Sequence, residues 1–383
     1  SLQKSRWMIR GASGRFTRLV RHMSTEDGAP VLFAGEGAIR TCVLNRPKAL
    51  NALSLEMVRA MAPKLSEWSA DDSVKAVVLK GAGAKAFCAG GDVVAVAQSA
   101  SGALGDGRAL AREFFYEEYE LDYKIATLPK PVVAVCDGIT MGGGVGLSMF
   151  APFRVATENT LFAMPETGIG LFPDVGGSHF LPRLEEGLGM FLALTGSRLK
   201  GADVYQAGIA THFIASDRLA DLESDIESIG VEATTAQIST NIGAILDGYH
   251  EATAEDGSSV DSWSLAPHLD VIRESFTAAS VEAIIEKLEA QDPDSEFVAK
   301  QLKALGRMSP TSCVDVPLPS ASPMFSPRRR RRPSLSSTRT RTHAHARALA
   351  AHATSTRRSS IERMRLLPTG SKSRTSSSGG VGR

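Results

Sequence analysis

Hydrophobic residues come in short runs that alternate with amphipathic stretches over most of the chain from residue 30 onward. Continuous apolar runs that end at glycine are typical of strands buried on both faces. Runs rich in β-branched residues and bounded by turn residues also predict strands. On these grounds we predict strands in VLFAG, AIRTCVLN, VKAVVLKG (74–81), PVVAVCDG (131–138), FRVAT (153–157) and TLFAMP (160–165).

Helical periodicity is found between and after these strands. Ser54 is a typical N-cap, and the apolar residues spaced four apart after it share one face, which predicts a helix over about 54–69. A second helix, with an aromatic and acidic face, is predicted over about 109–127. After about residue 184 helical patterning dominates, most clearly in VEAIIEKLEAQ and SEFVAKQLKAL. Strand and helix units followed by helices indicate an α/β layered core with a helical extension.

The charge changes sharply near both ends of the chain, although the net charge is only +1. Residues 1–25 carry six basic and no acidic side chains, residues 26–315 have a net charge of −19, and residues 316–383 have +14. Arginines spaced among apolar residues at the N-terminus predict a mitochondrial transit segment, and with it the mitochondrial matrix, with a disordered basic tail as the alternative.

The last part of the chain is rich in Arg and Ser and includes the run RRRRR. Such a segment cannot bury enough apolar surface to offset the entropy of ordering, so we predict a disordered basic tail or the product of a shifted reading frame. The predicted division is a transit segment over 1–28, a strand-and-helix core over 29–230, a helical extension over 231–313 and the low-complexity tail over 314–383.

Several classes of protein are excluded by patterns that the sequence lacks. No run approaches the ~18 apolar residues of a transmembrane helix, so a membrane-spanning protein is not expected. The four cysteines form no CxxC pair, which argues against a disulfide framework or a thiolate zinc site and indicates a reducing compartment. Without HExxH, GxSxG or a lysine after the glycine loops, neither a metal site, a serine hydrolase nor a P-loop is predicted. The basic tail lacks interleaved aromatic residues, so no specific nucleic-acid binding is expected.

Two glycine-rich loops follow predicted strands, AFCAGGD at 86–92 and GITMGGGVG at 138–146. Glycines at the junction of a strand and a helix allow backbone N–H groups to approach a ligand closely. Such donors hold a phosphate or a developing oxyanion. Tight turns and close helix packing are the alternative explanation.

A third loop, FAMPETGIGLFPDVGG at 162–177, carries Glu166 and Asp174 among glycines and apolar residues. Two carboxyl groups in different environments can divide the duties of acid, base and nucleophile. The alternative is a surface charge at Glu166 and a turn or N-cap residue at Asp174.

Four ordered motifs resemble the enoyl-CoA hydratase/isomerase, or crotonase, superfamily. They are LNRPKALNAL (44–53), KAFCAGGD (85–92), GITMGGGVGLS (138–148) and FAMPETGIGLFPDVGG (162–177). The resemblance covers about residues 30–312 and is most specific to the hydrolases that cleave 3-hydroxyisobutyryl-CoA in valine breakdown. It implies a crotonase-like spiral of ββα units, an acyl-CoA thioester as substrate and no metal or organic cofactor. It leaves a homo-oligomer open.

Carried over residue by residue, the resemblance assigns an oxyanion hole to the backbone N–H groups of Cys88 and Gly143. It makes Glu166 and Asp174 the catalytic carboxylates. These two residues and Gly143, together with Glu118 in the second predicted helix, are expected to bind the substrate. An exposed helical glutamate is the alternative for Glu118.

The resemblance also places Lys48 and Ala86 where the family contacts CoA.

The resemblance further distinguishes thioester hydrolysis from hydration of a double bond. Hydratases use two glutamates, one just after the GGG loop and one in the PE loop, whereas this chain has Gly146 at the first position and keeps only Glu166. Thioester hydrolysis needs one carboxylate to activate water or attack the carbonyl, and one to hold the substrate hydroxyl or protonate the thiolate. Glu166 and Asp174 would supply the pair, in roles that the sequence leaves open.

Two alternatives to a thioester hydrolase are retained. One is an enoyl-CoA hydratase or isomerase, and the other is an inactive truncated relative. The second arises because the resemblance ends after MSPTS, at 308–312, where the family continues with further helices.

Overall fold

The computed structural model describes residues 28–185, 187–230, 232–250 and 263–316. Within these ranges the chain forms ten strands and thirteen α-helices. The strands are β1 (Val31–Ala34), β2 (Ile39–Leu44), β3 (Ala76–Gly81), β4 (Ala86–Cys88), β5 (Val132–Cys136), β6 (Ile139–Met141), β7 (Phe153–Ala156), β8 (Leu161–Ala163), β9 (Leu199–Lys200) and β10 (His212–Phe213).

The helices differ widely in length, and the longest is the third. They are α1 (Leu55–Ala70), α2 (Val93–Ala100), α3 (Ala109–Thr127), α4 (Gly143–Met149), α5 (Gly177–Phe180), α6 (Leu188–Thr195), α7 (Ala202–Gln206), α8 (Leu219–Glu227), α9 (Thr235–Tyr249), α10 (Leu269–Phe276), α11 (Val281–Glu289), α12 (Glu296–Leu305) and α13 (Pro310–Asp315).

From β3 to β8, successive strands alternate between two sheets. The larger sheet has the order β1-β2-β3-β5-β7-β10, in which β1 and β2 are antiparallel and the other neighbours are parallel. The smaller sheet has the order β4-β6-β8-β9, in which only β8 and β9 are antiparallel. Each of the pairs β3–β4, β5–β6 and β7–β8 places its first strand in the larger sheet and its second strand in the smaller one. The predicted α/β class with a spiral of ββα units is confirmed.

The larger sheet carries helices on both faces. In β3, Val77 and Leu79 pack with α1 and α3, whereas Ala76 and Val78 pack with α8 and α9. Neighbouring side chains of a strand point to opposite faces, so a strand covered on both sides must be apolar at nearly every position. This is why the run that predicts β3 shows no alternation of polar and apolar residues.

The two helices predicted over 54–69 and 109–127 are confirmed. Ser54 caps α1, since its side-chain oxygen accepts a hydrogen bond from the backbone N–H of Met57 at 3.3 Å. The predicted helix over 109–127 is α3, Ala109–Thr127. Both helices pack against the same face of the larger sheet.

The smaller sheet was not predicted. The glycine-rich segments after β3 and β5 were expected to be loops, the second of which opens an apolar helix. That helix is α4, but the two segments also contain β4 and β6, which pair with each other. A strand of three residues has too few positions for its alternation to be recognised in the sequence.

Helices α10–α13 pack with α6 around one apolar cluster, in which the rings of Phe191 and Phe276 meet edge to face at 5.3 Å. The predicted division at residue 230 assigns α9 to the helical extension. Its apolar residues Ile238 and Ile242 nevertheless pack against the larger sheet.

The predicted transit segment and the predicted tail lie outside the described residues, apart from Gly28 and the end of α13 up to Val316. Across the described ranges, no helix combines the length and the apolar character needed to cross a bilayer.

Candidate active site

The glycine-rich segments that follow β4 and β6 lie against each other. A Cβ atom added to Gly144 would lie 2.3 Å from the carbonyl oxygen of Cys88 and 2.8 Å from its Cβ. A Cβ atom added to Gly143 would lie 3.2 Å from the backbone nitrogen of Gly91. Backbones this close leave no room for a side chain. The structure therefore brings together Cys88 and Gly143, the two residues predicted to form an oxyanion hole.

Two glutamates flank the start of α4. A Cβ atom on Gly143 would lie 2.5 Å from Oε1 of Glu118, and one on Gly142 would lie 2.9 Å from Oε1 of Glu166. Gly142 also has a φ of +45°, a conformation that favours glycine. The two glycines thus make room for two carboxyl groups beside the N-terminus of α4.

Glu118 reaches this site because α3 turns one face toward the protein interior. The buried residues of α3 are Ala111, Phe114, Glu118, Leu121, Asp122, Ile125 and Ala126. Glu118 and Asp122 lie one helical turn apart and are only 2% and 1% exposed. The alternative of an exposed helical glutamate at position 118 is therefore excluded.

The third glycine-rich segment supplies two further carboxyl groups. Glu166 begins the 3-10 turn Glu166–Ile169 after β8, and Asp174 precedes α5. Both side chains are buried, which does not fit the alternative of surface and turn residues. The Tyr119 hydroxyl donates a hydrogen bond to Oδ2 of Asp174 at 2.6 Å. Because Tyr119 follows Glu118 on α3, this bond holds Asp174 against the helix that carries Glu118.

Four carboxyl groups thus share one buried region, and their pKa values differ. Burial raises the pKa of Glu118 well above its usual range, and the like charges of Asp174, Asp122 and Glu166 add to this effect. Burial and the charge of Asp174 also raise the pKa values of Asp122 and Glu166. Burial raises the pKa of Asp174 to about 6, while the Tyr119 hydrogen bond acts in the opposite direction. The Tyr119 hydrogen bond distinguishes Asp174 from the other three carboxyl groups, because it favours the ionised form of Asp174.

Sequence reasoning missed Asp122 and Tyr119. A Cβ atom added to Gly146 would lie 2.7 Å from Oδ2 of Asp122 and 2.7 Å from Cβ of Val175. The Asp122 carboxyl group thus fills the volume that a side chain at position 146 would need. The four-residue spacing between Glu118 and Asp122, inside an apolar stripe, is the sequence signal that could have revealed Asp122. No comparable signal distinguishes Tyr119.

Lys48 and Ala86 lie in different segments, the turn after β2 and the strand β4. Lys48 is exposed in the 3-10 turn Pro47–Ala49, and Ala86 is buried in β4. Asn51 connects the two segments, because its Nδ2 donates a hydrogen bond to the Ala86 carbonyl at 2.8 Å. The ammonium group of Lys48 is accessible to an anionic ligand, whereas the Ala86 carbonyl already has a hydrogen-bond partner.

The Cys88 thiol is unsuited to nucleophilic attack. Burial raises the pKa of Cys88 to about 12, which keeps the thiol protonated at neutral pH. Its Sγ lies 3.6 Å from the carbonyl oxygen of Gly90. Residue 88 can therefore take part in chemistry through its backbone N–H rather than its sulfur. Backbone N–H groups at this place can polarise a carbonyl oxygen, and the buried carboxyl groups can carry out acid–base chemistry beside it.

The family model described as enoyl-CoA hydratase/isomerase matches residues 39–316. The chain belongs to the enoyl-CoA hydratase/isomerase family. Within this family it is similar to the protein named 3-hydroxyisobutyryl-CoA hydrolase, mitochondrial, from Xenopus tropicalis, with 52% identity over 77% of this chain and 73% of that protein. The protein of the same name from Homo sapiens is 45% identical over 81% of this chain and 79% of that protein.

Solved structures of other enoyl-CoA hydratase/isomerase family members share the fold. A carnitinyl-CoA dehydratase from Mycobacterium thermoresistibile has a TM-score of 0.65 and 35% identity, over 85% of this chain and 82% of that chain. An enoyl-CoA hydratase from Rhodobacter sphaeroides has a TM-score of 0.62 and 34% identity, over 74% of this chain and 76% of that chain. The likeness to hydratases and a dehydratase means that fold alone does not select the reaction.

Proposed function

We propose that this protein hydrolyses the thioester of 3-hydroxyisobutyryl-CoA to 3-hydroxyisobutyrate and free CoA, a step of valine catabolism. The observation that carries the proposal is the buried pair Glu166 and Asp174 beside the glycine-rich start of α4, with glycine rather than a glutamate at position 146. The relatives named 3-hydroxyisobutyryl-CoA hydrolase, at 45% to 52% identity, support this substrate.

In the proposed reaction, the backbone N–H groups of Cys88 and Gly143 donate hydrogen bonds to the thioester oxygen. Negative charge develops on this oxygen when the acyl carbon becomes tetrahedral, and preorganised donors stabilise that charge more than they stabilise the neutral thioester. Gly143 is the first residue of α4, so the positive end of the helix dipole adds to this effect.

The carboxyl groups supply the proton transfers. Hydrolysis breaks the C–S bond, adds the oxygen of water to the acyl carbon and delivers a proton to the leaving sulfur. With a pKa of about 6, Asp174 is ionised at neutral pH, whereas the pKa of Glu166 is raised well above its usual range by burial and by the charge of Asp174. The site therefore contains an anion that can activate water and a protonated acid that can serve the thiolate.

Substrate contacts are proposed at both ends of the thioester. Glu118, Gly143, Glu166 and Asp174 surround the acyl group in this proposal. Lys48 and Ala86 contact CoA, and the exposed ammonium group of Lys48 suits a phosphate.

The chain is assigned to mitochondria on the names of its relatives. We propose the matrix as its compartment. The predicted transit segment, in which arginines alternate with apolar residues without acids, supports this proposal.

Release of CoA from 3-hydroxyisobutyryl-CoA by the full chain tests the function directly. Glu166→Gln and Asp174→Asn are each expected to lower kcat by about 100-fold or more, the scale of a lost acid or base group. Glu120→Gln on the exposed side of α3 is the matched control and should keep the rate of the unchanged protein. Full activity in both site variants would refute the assignment of the carboxylates.

A further inference from the structure

Tyr119 is the polar partner of Asp174 within the buried region. Its hydroxyl donates to Oδ2 of Asp174 across 2.6 Å, which is short for a hydrogen bond and typical of a hydroxyl that donates to a charged oxygen. The two residues come from different parts of the fold, since Tyr119 lies on α3 and Asp174 lies in the segment before α5. The bond therefore forms only when these two elements are packed together.

Two of the neighbouring carboxyl groups, those of Asp122 and Glu166, lack comparable support. Neither oxygen of Asp122 has a hydrogen-bond partner within the described residues, and Oε2 of Glu166 has none there either. An ionised carboxylate without donors is very costly to bury, whereas a protonated one costs much less. The distribution of donors thus favours negative charge on Asp174 and protons on Asp122 and Glu166.

We propose that Tyr119 is a positioning residue that makes Asp174 the anionic member of the buried carboxyl cluster and orients its carboxylate for the reaction. This inference rests on the proposed function and adds to it a residue and a role. Tyr119 acts through Asp174, and no contact between Tyr119 and the substrate is needed.

The ionisable groups around Asp174 come from several elements of the fold. Glu118 and Asp122 come from α3 and Glu166 comes from the 3-10 turn, and the pKa values of all three are raised by burial and by the charge of Asp174. The helix α5 that follows Asp174 carries His179, whose ring packs against Phe150 at 6.0 Å. The start of α4 contributes glycines and no charge.

Removing the Tyr119 hydroxyl should raise the pKa of Asp174, because the anion loses its donor while burial and the nearby carboxyl groups remain. Tyr119→Phe keeps the ring and its packing, so the fold should be retained. The acid limb of the profile of kcat/KM against pH is expected to move upward by about one pH unit, which corresponds to a tenfold change in ionised Asp174 at low pH.

The experiment measures CoA release by chromatography from pH 5 to pH 9, because thiol reagents react slowly in acid. At pH 5.5, Tyr119→Phe should lose about tenfold in kcat/KM, and at pH 8.5 it should lose less than about threefold, since Asp174 is then ionised in both proteins. Tyr116→Phe is the matched control, because Tyr116 lies on the same helix and is 57% exposed. Its profile should equal that of the unchanged protein.

A loss that is the same at every pH would overturn the proposal, because it would indicate packing or substrate contact. An unmoved acid limb would overturn it as well. Failure of the proposed function is a different result, namely no CoA release by the unchanged protein at any pH.

Thermal unfolding gives a second readout that does not need activity. Between pH 5 and pH 8 the melting temperature of Tyr119→Phe should fall more than that of the unchanged protein, because ionising Asp174 costs more without its donor. In an Asp174→Asn background, Tyr119→Phe should leave this pH dependence unaltered. An equal pH effect in both backgrounds would show that Tyr119 does not act through Asp174.

Discussion

The backbone N–H of Ser309 donates a hydrogen bond to the carbonyl oxygen of Thr167, the residue after Glu166, at 2.9 Å. Ser309 is also the N-cap of α13, the last helix of the described chain. The side chain of Met308 approaches the same turn, since its Sδ would lie 3.5 Å from a Cβ atom on Gly168. The end of the helical extension thus supports the turn that carries Glu166.

Ser309→Pro should lower activity more than Ser309→Ala. The φ of −64° at Ser309 suits proline, so the exchange removes the N–H and the cap without a change of φ at this residue. Ser309→Ala removes only the cap, at a cost of about 1 kcal/mol in the free energy of unfolding. We expect Ser309→Pro to lower kcat about threefold to tenfold below Ser309→Ala, since loss of one supporting hydrogen bond shifts a catalytic group modestly. Equal kcat values in the two variants would contradict this coupling.

Gly146→Ala should destabilise the protein. The new methyl group would meet the Asp122 carboxylate and Val175 at 2.7 Å in a fully packed region, and overpacking of this kind costs about 1–3 kcal/mol. Gly248→Ala is the matched control, because Gly248 lies in α9 with open space around its Cβ position. Denaturant unfolding should show a loss for the first variant and none for the second. Unchanged stability in Gly146→Ala would mean that Asp122 moves away freely.

Compared with the parent protein, Asp174→Asn should gain stability as the pH rises from 4 to 8. The pKa of Asp174 is about 6 in the folded chain against an ordinary value of 3.8, so the folded state binds the proton more tightly than the unfolded state. Stability from this group is complete below about pH 4 and is lost as pH rises through about 6, to a total of about 3 kcal/mol. Asparagine does not ionise, so the difference in melting temperature between variant and parent should rise across this window.

Hydration of crotonyl-CoA should be at least about 100-fold slower than hydrolysis of 3-hydroxyisobutyryl-CoA, because one of two acid or base groups is absent. Position 146 is glycine, and Asp122 fills the space beside it. The decrease in absorbance of the conjugated thioester measures hydration. Rapid hydration would contradict this prediction and would indicate that the protein is a hydratase.

The long helices and central strands could be predicted because each has enough residues for its periodicity to be read. Helix α3 was placed at its observed bounds, and its stripe of buried positions includes Glu118 at a regular interval. An acid within an apolar stripe is a signal of burial that the sequence already contains. The three-residue strands β4 and β6 lack such a signal, so the smaller sheet was seen only in the structure.

The sequence by itself determined the α/β class, the resemblance to the family and its four motifs, three of which carry Cys88, Gly143, Glu166 and Asp174. These depend on local patterns and on residue identity at fixed spacings. Only the tertiary structure decided that Asp122 enters beside Gly146 and that Tyr119 donates to Asp174. The physical reason is that both contacts join α3 to segments that lie more than twenty residues away in the chain. The groups that a buried carboxyl group contacts are therefore fixed only when those segments pack together.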